Sequence, residues 1–268
     1  MELEALTKAL GVSGFEDEVR QRILNAAGGA EVDEFGNVTL RGRSKVAFVA
    51  HMDEIGLLVT NIEEDGRLRF RKVGGVDDKI LPGSSVVLYG DGFRVEGVIG
   101  VAPPHFQQQQ QQVSWQDLYI DVGASSRQEA EAMGIAPMTP AAFSRRYVEM
   151  GRYVSATALD DRAGCWALLE AYRRGAPATF IWTVQEEVGL MGARAVSKNL
   201  DVKYAVVVDT TACCHPNWTG GVKPGNGPVL RIFDNYGAFN NKLAKKVLEV
   251  AKRRGIPIQI GSGGGGTD

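Results

Sequence analysis

Two periodicities of apolar and polar positions divide the chain. Near its start, MELEALTKAL and FEDEVRQRILNAA place Leu3, Leu6 and Leu10, then Val19, Ile23 and Leu24, at helical spacing, with Gly11 and Gly14 between the two runs. NVTLRG and KVAFVAHMD then read as strands. From about Asn61 the texture shifts to short β-rich pieces with frequent turn signals: EEDGRLRFR, GSSVVLYGDGFRVEGVIG and DLYIDVG. These predict a small β-barrel or sandwich, inserted as its own domain and ending near Val154. Helical and strand patterns alternate afterwards, through DRAGCWALLEAYRRG, ATFIWTVQ, ARAVSKNL, YAVVVDT, NNKLAKKVLEVAKRRG and IPIQI. Such alternation predicts an α/β fold with a mostly parallel sheet and flanking helices. The expected organisation is an α/β domain at residues 1–62 and 155–268, interrupted by a β domain at 63–154.

Composition narrows the class. With 268 residues, 44% hydrophobic and 23% charged, the chain can bury a sizeable core. Its 30 Lys and Arg against 32 Asp and Glu leave a formal charge of -2, which argues against nucleic acid or an anionic membrane as partner. Cys165, Cys213 and Cys214 form no spaced framework, so a reducing, cytoplasmic compartment is expected. The acidic, helical N-terminus is unlike a secretion signal, and no run approaches the length of a membrane span. Gln107 to Gln112 read as a mobile loop of the insertion. GSGGGG at 261–266 satisfies G-x-G-x-x-G, but neither a helix nor a ribose-binding acid follows it in the sequence, which argues against a dinucleotide site.

The candidate chemistry sits where apolar runs stop. KVAFVA leads into His51 and Asp53, ATFIWTV into Glu186 and Glu187, and YAVVV into Asp209. In an open sheet the carboxyl ends of parallel strands line one crevice, where ligands bind. Carboxylates gathered in a partly dry crevice are costly unless protonated or neutralised by a cation, which points to a bound metal. His51 and Asp53, two apart on a strand, can face one side, whereas Glu186 and Glu187 diverge, so one can bind metal while the other addresses a water. In ALDDRAG, Asp160 and Asp161 precede a helix, where an N-cap is the plain reading of either acid. Each residue alone has such a plain reading, a core histidine or a surface turn. Three acidic strand ends together favour the metal.

HMDEIG (51–56), ALDDRAG (158–164), TVQEEVGLMGA (183–193), VVVDTT (206–211) and GGGGTD (263–268) resemble, in that order, the motifs of the M42 family of dinuclear metallo-aminopeptidases. SGFEDEVR near the start and DLYIDVGASS in the insertion extend the likeness. The resemblance implies a zinc-exopeptidase-like α/β domain with an inserted β domain used in assembly. It implies a homo-oligomer, with a dodecamer as one form, that acts on short peptides. By motif, His51 would bind a first metal, Asp160 bridge two, Glu187 bind the second and Asp209 complete the first. Glu186 would be the general base and Asp53 would orient His51. Oxygen ligands with one imidazole suit two divalent ions of zinc, cobalt or manganese. Asp161 would follow the bridge in unusual backbone geometry, often a cis peptide in such enzymes.

The pattern departs at its end. The family normally continues past GGTD and supplies a later histidine to the second metal, so the sequence to Asp268 is expected to hold that metal weakly, with reduced activity. Of the remaining histidines, His105 lies in VAPPH and His215 in TACCHPN. A cysteine hydrolase using Cys213 or Cys214 with His215 is disfavoured, because adjacent side chains diverge. A dinuclear hydrolase of another substrate, such as a phosphatase or nuclease, lacks a basic groove. A non-hydrolysing scaffold member is the remaining alternative.

Overall fold

The computed structural model describes residues 2–101, 113–214, 221–235, 237–262 and 266–268. His105, His215, the glutamine run and part of the final glycine run lie outside the described residues. The chain divides into two compact units, Met1–Val208 with Asp268, and Asp209–Thr267.

In the first unit, α1 (Leu3–Lys8) and α2 (Asp17–Ala26) precede strands β1 (Glu31–Val32), β2 (Val38–Leu40) and β3 (Val46–His51). Next come β4 (Gly56–Ile62), β5 (Leu68–Val73), β6 (Ser85–Gly90), β7 (Phe93–Gly100), β8 (Tyr119–Asp121), α3 (Arg127–Ala132) and β9 (Pro140–Phe143). Strands β4 to β9 close into a barrel in the order β4-β5-β8-β7-β6-β9. Period-two alternation drives it: in β5, Leu68 and Phe70 are buried while Arg69 and Arg71 are exposed. Inside, Leu57, Phe70, Leu88, Ile99 and Ile120 share one apolar cluster. A hairpin, β10 (Tyr147–Met150) and β11 (Tyr153–Ala156), leads out of the barrel to α4 (Leu159–Arg173).

Strand β12 (Thr179–Thr183), helix α5 (Met191–Ser197) and β13 (Tyr204–Val207) complete this unit. Its open sheet has the order β1-β2-β12-β3-β13. All five residues of β12 are buried, as a central strand requires. Alternation sends Phe180 and Trp182 into a cluster with Cys165, Leu168 and Leu169 of α4, and Ile181 to the opposite face with Ala47 and Val49. The sheet is mixed rather than mostly parallel: β3 pairs in parallel with β12 and β13, whereas β2 is antiparallel to both β1 and β12. Only residues 41–45 separate β2 from β3. That is too short for a parallel crossover, so β2 must run the other way.

The second unit holds β14 (Val229–Asp234), β15 (Gly237–Ala238), α6 (Asn241–Arg253) and β16 (Gln259–Ser262), with sheet order β15-β14-β16. Asn240 caps α6 by accepting from the Leu243 amide at 3.0 Å. Among the described residues no helix is long and apolar enough to cross a membrane.

Candidate metal centre

His51 is the last residue of β3 and lies beside Thr183, the last of β12, in the parallel register. Its ring is buried between two acids: Nε2 lies 3.2 Å from Asp160 Oδ1, and Nδ1 lies 3.3 Å from Asp53 Oδ1. Burial opposes a charge on the imidazole, but the neighbouring carboxylates of Asp160 and Asp53 outweigh it and hold the pKa well above its ordinary value. For Asp53, burial likewise pulls upward, and the imidazole and the Ser13 hydroxyl more than offset it, leaving the carboxyl below the usual range. Ligand atoms of His51, Asp160 and Glu187 all lie within 4.8 Å of one another. One imidazole and two carboxylates at that separation fit a divalent cation.

The doubled acid of ALDDRAG divides its labour. Asp160 and Asp161 have non-helical backbone angles, and the peptide between them is cis. Asp160 is turned to His51, while buried Asp161 accepts from the Gly164 amide at 3.0 Å, so the N-cap expected for this segment falls to the second acid. A Cβ at Gly164 would overlap that carboxylate.

Glu186 and Glu187 lie beyond the strand, so strand alternation does not set their directions. Strand β12 ends at Thr183, and the acids belong to a loop in which Gln185 has φ 55°. Side chains take the amides of this loop. Asn37 Oδ1 accepts from Val184 at 3.1 Å, Glu16 Oε1 from Gln185 at 3.2 Å, and Asp53 from Glu186 at 3.0 Å and from Glu187 at 3.2 Å. Asn37 also donates to the Gly192 carbonyl at 3.1 Å and so spans both ends of the loop. Gly192 must lack a side chain, because a Cβ would strike Asn37 Oδ1 and the Val184 carbonyl. Asp53 is thus a hub that also accepts from Ser13 Oγ at 2.6 Å. Burial raises the Glu16 carboxyl to about 7, opposed by the Gly14 amide and reinforced by the charge of Asp53.

Several of these residues carry no motif signal of their own. Ser13 and Glu16 lie in the SGFEDEVR stretch, which marked the resemblance without a role. Asn37 reads only as the first residue of the strand NVTLRG, and it lies just before β2. Buried Arg162 donates from Nη1 to the carbonyls of Met52 and Asp53 and from Nη2 to Glu54 at 3.2 Å. Glu54 in turn receives Arg145 through two bonds of 2.7 and 2.8 Å and the Gly11 amide at 2.9 Å. This ion cluster ties the start of α4, which carries Asp160, to the segment just after His51. Removing one partner from such a buried set leaves an uncompensated charge.

Asp209 opens the second unit two residues after β13. There it accepts from the Thr210 amide at 2.6 Å and from Thr267 Oγ1 at 2.5 Å. The sulfur atoms of Cys213 and Cys214 lie against each other. Cys165 is buried, its thiol pushed up by burial, and it donates to the His51 carbonyl at 3.0 Å.

The structure is similar to the TET1 peptidase of Pyrococcus horikoshii, with a TM-score of 0.93 and 42% identity over 99% of this chain and 84% of that one. It is also similar to an aminopeptidase of the archaeon Desulfurococcus kamchatkensis, with a TM-score of 0.92 and 33% identity over 99% and 80% of the two chains. In sequence it is 35% identical to the lysyl aminopeptidase of Pyrococcus furiosus, over 96% of this chain and 79% of that protein. The family model described as M42 glutamyl aminopeptidase matches residues 36–268. The chain belongs to the M42 peptidase family.

Proposed function

We propose that the protein is a metal-dependent aminopeptidase that removes N-terminal residues from peptides with the help of two divalent ions. The convergence of His51, Asp160 and Glu187 at one rim, with Glu186 adjacent in the chain, carries this reading. His51 would hold one ion through Nε2, Glu187 the other, and Asp160 both. On its motif VVVDTT alone, Asp209 is proposed as a further ion ligand. When bound, the ions lower the pKa of a water and polarise the scissile carbonyl. Zinc, cobalt and manganese all suit these donors.

Asp53 fixes the imidazole from its Nδ1 side, which turns Nε2 toward Asp160 and raises its basicity. Through the amides of Glu186 and Glu187, the same carboxylate also fixes the backbone that presents both glutamates. Glu186 takes the proton of the attacking water and delivers it to the leaving amine. The peptide's free amino group is held by the acidic rim, which confines cleavage to the end of the substrate. The TET1 peptidase of Pyrococcus horikoshii assembles into a tetrahedron or an octahedral shell. We take the present chain to form a homo-oligomer as well.

Dialysis against a chelator, followed by zinc, cobalt or manganese, tests the proposal on a panel of aminoacyl p-nitroanilides. Activity is expected to vanish on metal removal and return on addition. Full activity in metal-free protein would overturn the reading.

A further inference from the structure

The turn formed by SGFE, residues 13–16, reaches Asp53 through Ser13 and the catalytic loop through Glu16, two side chains that the proposed mechanism does not use. Ser13 Oγ donates to Asp53 Oδ2 at 2.6 Å, and Glu16 Oε1 accepts from the Gln185 amide at 3.2 Å while also accepting from the Gly14 amide at 2.7 Å. Glu16 is 2% exposed and stands at the N-terminus of α2, where the Arg20 amide bonds its carbonyl at 2.9 Å. Its backbone is therefore fixed by the helix, and its side chain is aimed at one amide of the loop.

That amide matters because of where it lies. Gln185, with φ 55°, has a left-handed backbone that an L-residue with a long side chain rarely adopts. The turn of the chain at Gln185 sets the direction in which the next residue, Glu186, is presented. Asp53 fixes the amides on the far side of that turn, at Glu186 and Glu187. Glu16 fixes the amide at the turn itself.

We infer that Glu16 is a positioning residue for Glu186, holding the left-handed turn at Gln185 through a hydrogen bond to its amide. The inference rests on the assignment of Glu186 as general base. What the role requires is an oxygen acceptor at the full reach of the glutamate side chain. Net charge is not required.

Two conservative variants separate reach from charge. Glu16→Asp keeps the carboxylate but withdraws it by one methylene; Glu16→Gln keeps the reach and the acceptor but removes the charge. Folding of each is verified by far-UV circular dichroism. In the metal-free protein, hydrogen–deuterium exchange over residues 184–187 is expected to accelerate in Glu16→Asp and to stay at the parent rate in Glu16→Gln. In metal-loaded protein, Glu16→Asp is expected to lose up to about 10²-fold in kcat with KM unchanged, the scale of a small misplacement of a reacting group. Glu16→Gln is expected to retain the parent kcat. Both variants at the parent kcat and exchange rate, equal losses in both, or a greater loss in Glu16→Gln would each overturn the inference. Glu186→Gln assayed alongside keeps the two readings apart: if it retains the parent kcat, the base assignment fails, while the exchange data still judge the clasp.

Discussion

The barrel and the rim loop satisfy their backbones in opposite ways. In the barrel, strand pairs such as β6 with β7 take up each other's amides and carbonyls, and the side chains are left to fill the interior with Leu57, Phe70, Leu88, Ile99 and Ile120. In the loop after β12, consecutive amides from Val184 to Glu187 are taken up by the side chains of Asn37, Glu16 and Asp53. The barrel is held by a repeating ladder and is tolerant of surface change. The loop is held by individual buried acceptors drawn from the first 53 residues, each aimed at one amide. A backbone freed from the ladder can present adjacent glutamates in different directions, and the buried acceptors keep that irregular shape fixed.

Substitutions break the comparison in graded ways. The largest effect is expected from Glu186→Gln, which should lower kcat by about 10²–10⁴-fold, the range of general acid–base catalysis, while leaving the melting temperature near the parent value. Steady-state kinetics and calorimetry on the same sample check both halves. Leu88→Ala in the barrel interior should do the reverse. Leu88 is fully buried, and its truncation is expected to destabilise by about 2–5 kcal/mol in urea unfolding with kcat of the folded fraction unchanged. Asn37→Ala sharpens the contrast with the smallest change, since it strips acceptor and donor from both ends of the loop. A loss of about 1–3 kcal/mol is expected for unsatisfied buried groups, together with a fall in kcat that Leu88→Ala does not show.

What was legible in the sequence follows the same division. Period-two and helical patterns foretold barrel strands β5 to β8 and helices α2, α4 and α6, because those elements are built from repeating local choices; β9 was not read as a strand, and β4, placed with the α/β domain, joins the barrel instead. His51, Asp53, Asp160, Glu186 and Glu187 stood out as acids and a histidine placed beside apolar runs. The structure brings His51, Asp160 and Glu187 together, with Asp53 and the Glu186 amide in hydrogen-bond contact. The direction of β2 was not legible from alternation, since it depends on the five residues, 41–45, that precede β3. Glu16, Asn37 and Arg162 were not legible either. Their partners lie 169, 147 and 108–110 residues away. A buried polar residue aimed at a distant amide leaves no periodic trace. An N-cap was the plain reading of both acids of ALDDRAG, and the bond from the Gly164 amide gives that part to Asp161.

The central claim is that these side chains gather around cations. It is tested most directly by anomalous diffraction from crystals soaked in zinc or cobalt. The account predicts an ion in contact with His51 Nε2 and with carboxylate oxygens of Asp160 and Glu187. Ions bound only elsewhere, with those three residues making no contact to metal, would contradict it.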